Sequence, residues 1–107
     1  MIEKPSSVNV LGVVYSITYV DKPSEVDIFK RKSLWGQIDF WTRTIRVYDN
    51  GRRPVDIWET IIHEVLHAII TDLHLKALSA DEMDDEIDVI ALALVDVLNR
   101  NGWVEFG

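Results

Sequence analysis

Two hydrophobic periods divide the chain. From residue 8 to residue 20 apolar and polar positions alternate, with Tyr15, Ile17 and Tyr19 set against Ser16 and Thr18. This period of two predicts strands over residues 8–10 and 13–20, folded about Gly12. The alternation returns after Gly36: Ile38 and Phe40 take one face, as do Ile45 and Val47 of a returning strand, while Gln37, Asp39, Thr44 and Arg46 take the other. With a turn at Trp41-Thr42-Arg43, that is a hairpin. Residues 21–35, including Pro23, Ser24 and Lys30-Arg31-Lys32, keep no period and read as a connection, with a short helix near residues 25–31.

After the turn signal Asp49-Asn50-Gly51 the period lengthens. Trp58, Ile61, Ile62, Val65, Ile69 and Leu73 recur at spacings of three and four, and Pro54 with Asp56 and Glu59 marks a helix start. A second helix opens with the capping box Ser79-Ala80-Asp81-Glu82, runs to about Asn99 and stops at Asn101-Gly102. On it Met83, Ile87, Ile90, Leu94 and Leu98 define the core-facing stripe. Val89, Leu92 and Val95 leave it apolar nearly all round, so its far side is expected to pack on the sheet, another segment or a second subunit, a homo-oligomer included. The expected fold is a single α+β domain over residues 1–107, a small antiparallel sheet of three or four strands packed on two helices.

The first helix carries the chemistry. His63-Glu64-Val65-Leu66-His67 is an H-E-x-x-H motif, and on a helix its histidines project from one face a turn apart, where both imidazoles can bind one zinc ion. Glu64 then stands beside the metal as general base for its water, not as a ligand. A third protein ligand is needed. In an antiparallel helical hairpin, positions summing to about 153 share a level, which sets Glu86 opposite His67 on the flank of the stripe, with Asp85 and Asp88 turned away. Glu86 is therefore the expected ligand, with Glu82 and Asp85 as rivals. Six of the eight residues from Asp81 to Asp88 are acidic, and the helix dipole alone accounts for most of them. His74 lies too far along the axis from His67 to share an ion and reads as a helix C-terminal residue.

Composition narrows the class. The chain has no cysteine, so a zinc site must be built from His and carboxylate, in keeping with a reducing, cytoplasmic setting. No leader or membrane span is evident. The net charge of -7 divides unevenly: residues 1–53 hold nine Lys/Arg against six Asp/Glu, residues 54–107 two against twelve. That balance, with no basic stripe on one helix, argues against a nucleic-acid partner.

The order G-x-I-D-F (residues 36–40), T-x-T-I-R-V (42–47), E-T-I-I-H-E-V-L-H-A-I (59–69), then a glutamate on the next helix, resembles the small gluzincin-type metallopeptidases of phages and mobile elements, the ImmA/IrrE-like proteins and their minimal relatives. The resemblance covers about residues 36–98. It implies a minimal zincin fold with His63, His67 and Glu86 as zinc ligands, Glu64 as base, and a protein or peptide substrate such as a phage or mobile-element regulator. In larger members an alanine and an F-A pair follow the third ligand; here Val89, Leu92 and Ala93 follow Glu86. The substrate backbone is expected to pair with a sheet edge, either the strand of residues 44–48 or its hairpin partner. Tyr48, Arg46 and His74 are the candidate substrate and oxyanion donors. The competing expectation is a non-catalytic zinc-binding or metal-free interaction module on the same fold; an intact Glu64 favours catalysis, because a structural zinc site needs no base.

Overall fold

Each hydrophobic period forms the element it predicts. The computed structural model describes residues 4–27, 29, 34–73 and 84–104. Strands β1 (Ser7–Val10) and β2 (Val13–Val20) form a tight antiparallel hairpin in register Val10↔Val13. Its two turn residues, Leu11 and Gly12, sit at φ 53° and 91°, the left-handed pair that matches the right-handed twist of the strands. Strands β3 (Gly36–Asp39) and β4 (Thr44–Tyr48) form the second hairpin, where Asp39 Oδ1 accepts the Trp41 N–H at 2.9 Å and holds the turn.

The four strands lie in the order β1-β2-β4-β3. The outer pairings are antiparallel as expected, and the central one, β2 with β4 from Ser16↔Thr44 to Val20↔Tyr48, is parallel. Residues 21–35 explain the difference, because they carry the chain past the place of β4 to the outer edge. β3 then returns antiparallel and β4 fills the gap. Within this connection a single 3-10 turn forms at Pro23–Glu25, started by the fixed φ of Pro23. The rest of the helix expected near residues 25–31 falls largely outside the described residues.

Helix α1 (Pro54–Asp72) places Pro54 at its first position and Asp56 in its first turn, where the carboxylate forks the Arg53 guanidinium at 2.9 and 3.1 Å. Tyr15, Ile17, Ile45 and Val47 of the sheet are buried against Ile57, Ile61 and Ala68 of this helix. Each large apolar side chain so buried contributes about 1.5–3 kcal/mol. This packing seats the H-E-x-x-H turns on the sheet.

Helix α2 (Asp84–Arg100) packs on α1. Gly102 at φ 71° ends it: Gly102 N–H donates to Asn99 O and Trp103 N–H to Leu98 O, each at 3.1 Å, the paired bonds of a glycine-terminated helix. The capping box at residues 79–82 and His74 fall outside the described residues. The buried line of α2 differs from the expected stripe. Ile87, Ala91 and Val95 are each 1% exposed, whereas Ile90 and Leu94 are 42% and 41% exposed. The buried line thus runs through the small Ala91 in place of the neighbouring Ile90, a rotation of the helix by about one residue. Among the described residues no helix is long and apolar enough to cross a membrane.

Candidate metal centre

Helix α1 lies between the sheet and α2, and its middle turns bring the expected histidines together. His63 Nε2 and His67 Nε2 are 3.1 Å apart, with ring centroids 4.8 Å apart and planes tilted by 55°. Two zinc–nitrogen bonds of 2.0–2.1 Å at a tetrahedral angle would set their nitrogens about 3.3 Å apart. The pair therefore has the bite of one ion. The same separation also suits a hydrogen bond between two neutral imidazoles.

Glu64 is 6% exposed, with Oε2 4.0 Å from His63 Nε2. Strand β3 lies directly on it: a Cβ at Gly36 would stand 2.5 Å from Thr60 Cγ2 and 3.3 Å from Glu64 Oε2. Only glycine lets the strand backbone approach so closely. A cleft of about 250 Å³ results, lined by Trp35, Gly36, Thr60, His63, Glu64 and Asp88 among others.

From α2 both Asp85 and Asp88 line this cleft, and Asp88 Oδ1 stands 3.3 Å from His63 Nδ1. The predicted level is nearly right, since residue 63 was expected opposite residue 90. The rotation of the helix differs, so Asp88 does not turn away. Glu86 is exposed and lines, with Asp85, Val89 and Ile90, a separate shallow groove. Among the described residues no set of three His, Asp or Glu side chains converges to hold an ion. A carboxylate at Nδ1 suits the tautomer whose Nε2 lone pair faces His67, which is what ligation requires.

The other expected site residues divide. Tyr48 sets its ring 5.8 Å from that of Trp35, a residue that lines the cleft. Arg46 alternates with the core residues Ile45 and Val47, so it occupies the sheet face away from α1, where its guanidinium binds Glu25 O. Strand β4 is flanked on both sides, whereas β3, like β1, lies at a margin of the sheet, with no further strand beside it among the described residues.

Sequence reasoning missed Arg52 and Trp35. The Arg52 guanidinium stacks 4.3 Å from the Trp35 ring and donates to Tyr48 O at 2.6 Å, Asp56 O at 3.0 Å and Thr60 Oγ1 at 2.8 Å. It rivets the turn before α1 to the helix, and burial pulls its pKa down. A second cavity of about 450 Å³, lined by Arg52, Arg53, Asp56 and Glu59, adjoins the first along Trp35, Thr60 and Asp88. There burial, then Asp56 and Asp88, push the Glu59 carboxyl above its ordinary pKa. The Arg52-Arg53-Pro54 sequence was the available signal for this rivet; nothing in the sequence marks Trp35.

Compared with known proteins, the chain matches no family model, no curated protein and no solved structure.

Proposed function

We propose that the chain is a zinc-dependent peptidase acting on a protein substrate, with His63 and His67 as metal ligands and Glu64 as general base. The observation that carries this reading is the convergence of the two Nε2 atoms, 3.1 Å apart, with His63 lining a cleft that also holds the buried Glu64. Zinc, when bound, supplies Lewis acidity toward water and the scissile carbonyl. Glu64 takes the proton of the attacking water and delivers it to the leaving amine. Asp88 holds His63 in the ligating tautomer. A third ligand is expected from the acidic start of α2, where Asp85 lines the same cleft as His63 and Glu64.

The substrate main chain runs along β3. Tyr48 N–H donates to Trp35 O at 2.9 Å, so residues 35, 37 and 39 hold the ladder to β4, and the N–H and C=O of Gly36 and Ile38 face the open edge. An extended peptide paired there passes over Glu64. A phage or mobile-element regulator as substrate, and a cytoplasmic setting, belong to this proposal through the family resemblance.

The second reading is a metal-free interaction module, favoured by the fact that 3.1 Å also suits an imidazole–imidazole hydrogen bond. Mass spectrometry and calorimetric zinc titration of the natural chain, His63→Ala, His67→Ala and Asp85→Asn separate the two. The peptidase reading expects one zinc per chain, lost in both histidine variants, and hydrolysis of an unfolded protein such as casein that Glu64→Gln abolishes with zinc retained. No zinc after reconstitution would refute it and leave the module.

A further inference from the structure

The open edge of β3 is bordered by more than backbone. Beside it lies a cavity of about 480 Å³ whose lining includes the consecutive residues Gln37, Ile38 and Asp39 together with Phe29, Phe40 and Trp41. Successive residues of a strand point to opposite faces. A space that touches both faces at once lies along the strand edge, where a further strand would sit. Its walls are mostly apolar, and one of them, Trp41, is 94% exposed. Aromatic surface left open at a sheet edge is costly unless something covers it.

We infer that the β3 edge binds polypeptide in extended form and selects a bulky apolar side chain two to four residues from the bond held over Glu64. The occupant is extended because the edge offers the paired N–H and C=O of Gly36 and Ile38, the pattern that another strand completes. It carries a large apolar residue because Ile38, Phe40, Trp41 and Phe29 present no charge to satisfy and enough room for an aromatic ring. The spacing follows from the strand: Gly36 touches Glu64, and the cavity begins at Gln37 and reaches Thr42, with about 3.4 Å per residue between. The inference rests on the peptidase reading only for the position of the cleaved bond.

The test uses the full chain carrying Glu64→Gln, with and without zinc. The probes are fluorescein-labelled, end-blocked decapeptides of Ser, Thr and Ala in which a single Phe is moved along the sequence. Anisotropy is expected to show at least about tenfold tighter binding for Phe than for Ala at one or two positions, with no gain elsewhere. Trp41→Ala should reduce that gain to under about twofold without lowering the thermal midpoint, and the bound peptide should slow amide exchange at Gly36 and Ile38. Equal affinity for Phe and Ala at every position, or a gain that survives Trp41→Ala combined with Phe40→Ala, would overturn the inference. So would concentration-dependent dimerisation through this edge with no response to peptide, which would make a second copy of the chain its occupant. Because binding is read without turnover and without metal, failure to load zinc overturns the catalytic reading alone.

Discussion

Asp88 Oδ1 stands 3.3 Å from His63 Nδ1, so the second helix holds the first histidine of the motif from behind. Carboxylates placed in this way commonly contribute tenfold to a hundredfold in metal affinity. Asp88→Ala is therefore expected to weaken zinc binding by about that factor while a saturating titration still reaches one ion per chain. Glu86→Gln, on the exposed side of the helix, should leave affinity unchanged. Calorimetric zinc titration checks both, and a Glu86 variant that loses zinc while Asp88→Ala keeps it would reverse the assignment.

Gly36 sets how closely β3 lies on α1. Gly36→Ala introduces a contact of 2.5 Å with Thr60 Cγ2 and is expected to cost about 1–3 kcal/mol, read by thermal or urea denaturation. Adding Thr60→Ser removes that methyl and keeps the hydroxyl that Arg52 binds. The double variant should regain most of the stability yet cleave more slowly than Thr60→Ser alone, because the new methyl still presses on Glu64 Oε2.

The rotation of α2 is testable by truncation. Ile87→Ala should cost about 2–4 kcal/mol, and Ile90→Ala less than about 1 kcal/mol, since the first side chain is 1% exposed and the second 42%. Equal losses in urea denaturation would show that both faces of the helix are covered.

Tyr19 links stability to alkaline pH. Burial, with Asp49 nearby, raises its pKa to about 12, and its hydroxyl donates to Pro5 O at 2.6 Å. The fold thus favours the neutral phenol: its contribution is complete below the unfolded value of about 10 and is lost as pH rises through 12. Absorbance at about 295 nm, where tyrosinate absorbs, should show a late ionisation that Tyr19→Phe removes, together with part of the alkaline loss of stability.

Glu59 acts in the opposite range. Its carboxyl is raised by burial and by Asp56 and Asp88, so ionisation works against the folded state at neutral pH. Glu59→Gln is expected to raise the thermal midpoint at pH 7, with the difference fading as pH falls below the ordinary carboxylate range. A variant that is less stable at neutral pH would show that attraction to Arg53 and Arg52 outweighs burial and the two aspartates.

Much of this was legible in the chain. Period two and period three-to-four located the strands and α1, and Asn101-Gly102 marked the end of α2, because each depends on local backbone geometry. The H-E-x-x-H spacing placed two imidazoles together for the same reason. Two things were not legible. The parallel pairing of β2 with β4 depends on where residues 21–35 cross, and that stretch has no period. The rotation of α2 was obscured because Val89, Ile90, Leu92, Leu94 and Val97 are apolar on the side left exposed. Hydrophobicity could not choose among faces. Asp88 was set aside in favour of Glu86 by that same error of rotation.

The strand order also governs how the chain assembles. The β3–β4 hairpin and α1 are contiguous, so they can form early from short-range contacts, whereas Ser16 must find Thr44 across 28 residues. Closing that long loop is the slower step. Until β2 arrives, the nascent hairpin has two bare margins, one of them the apolar run of β4. Arg46, whose positive charge interrupts that run between Ile45 and Val47, is placed to discourage one nascent chain from adhering to another during synthesis.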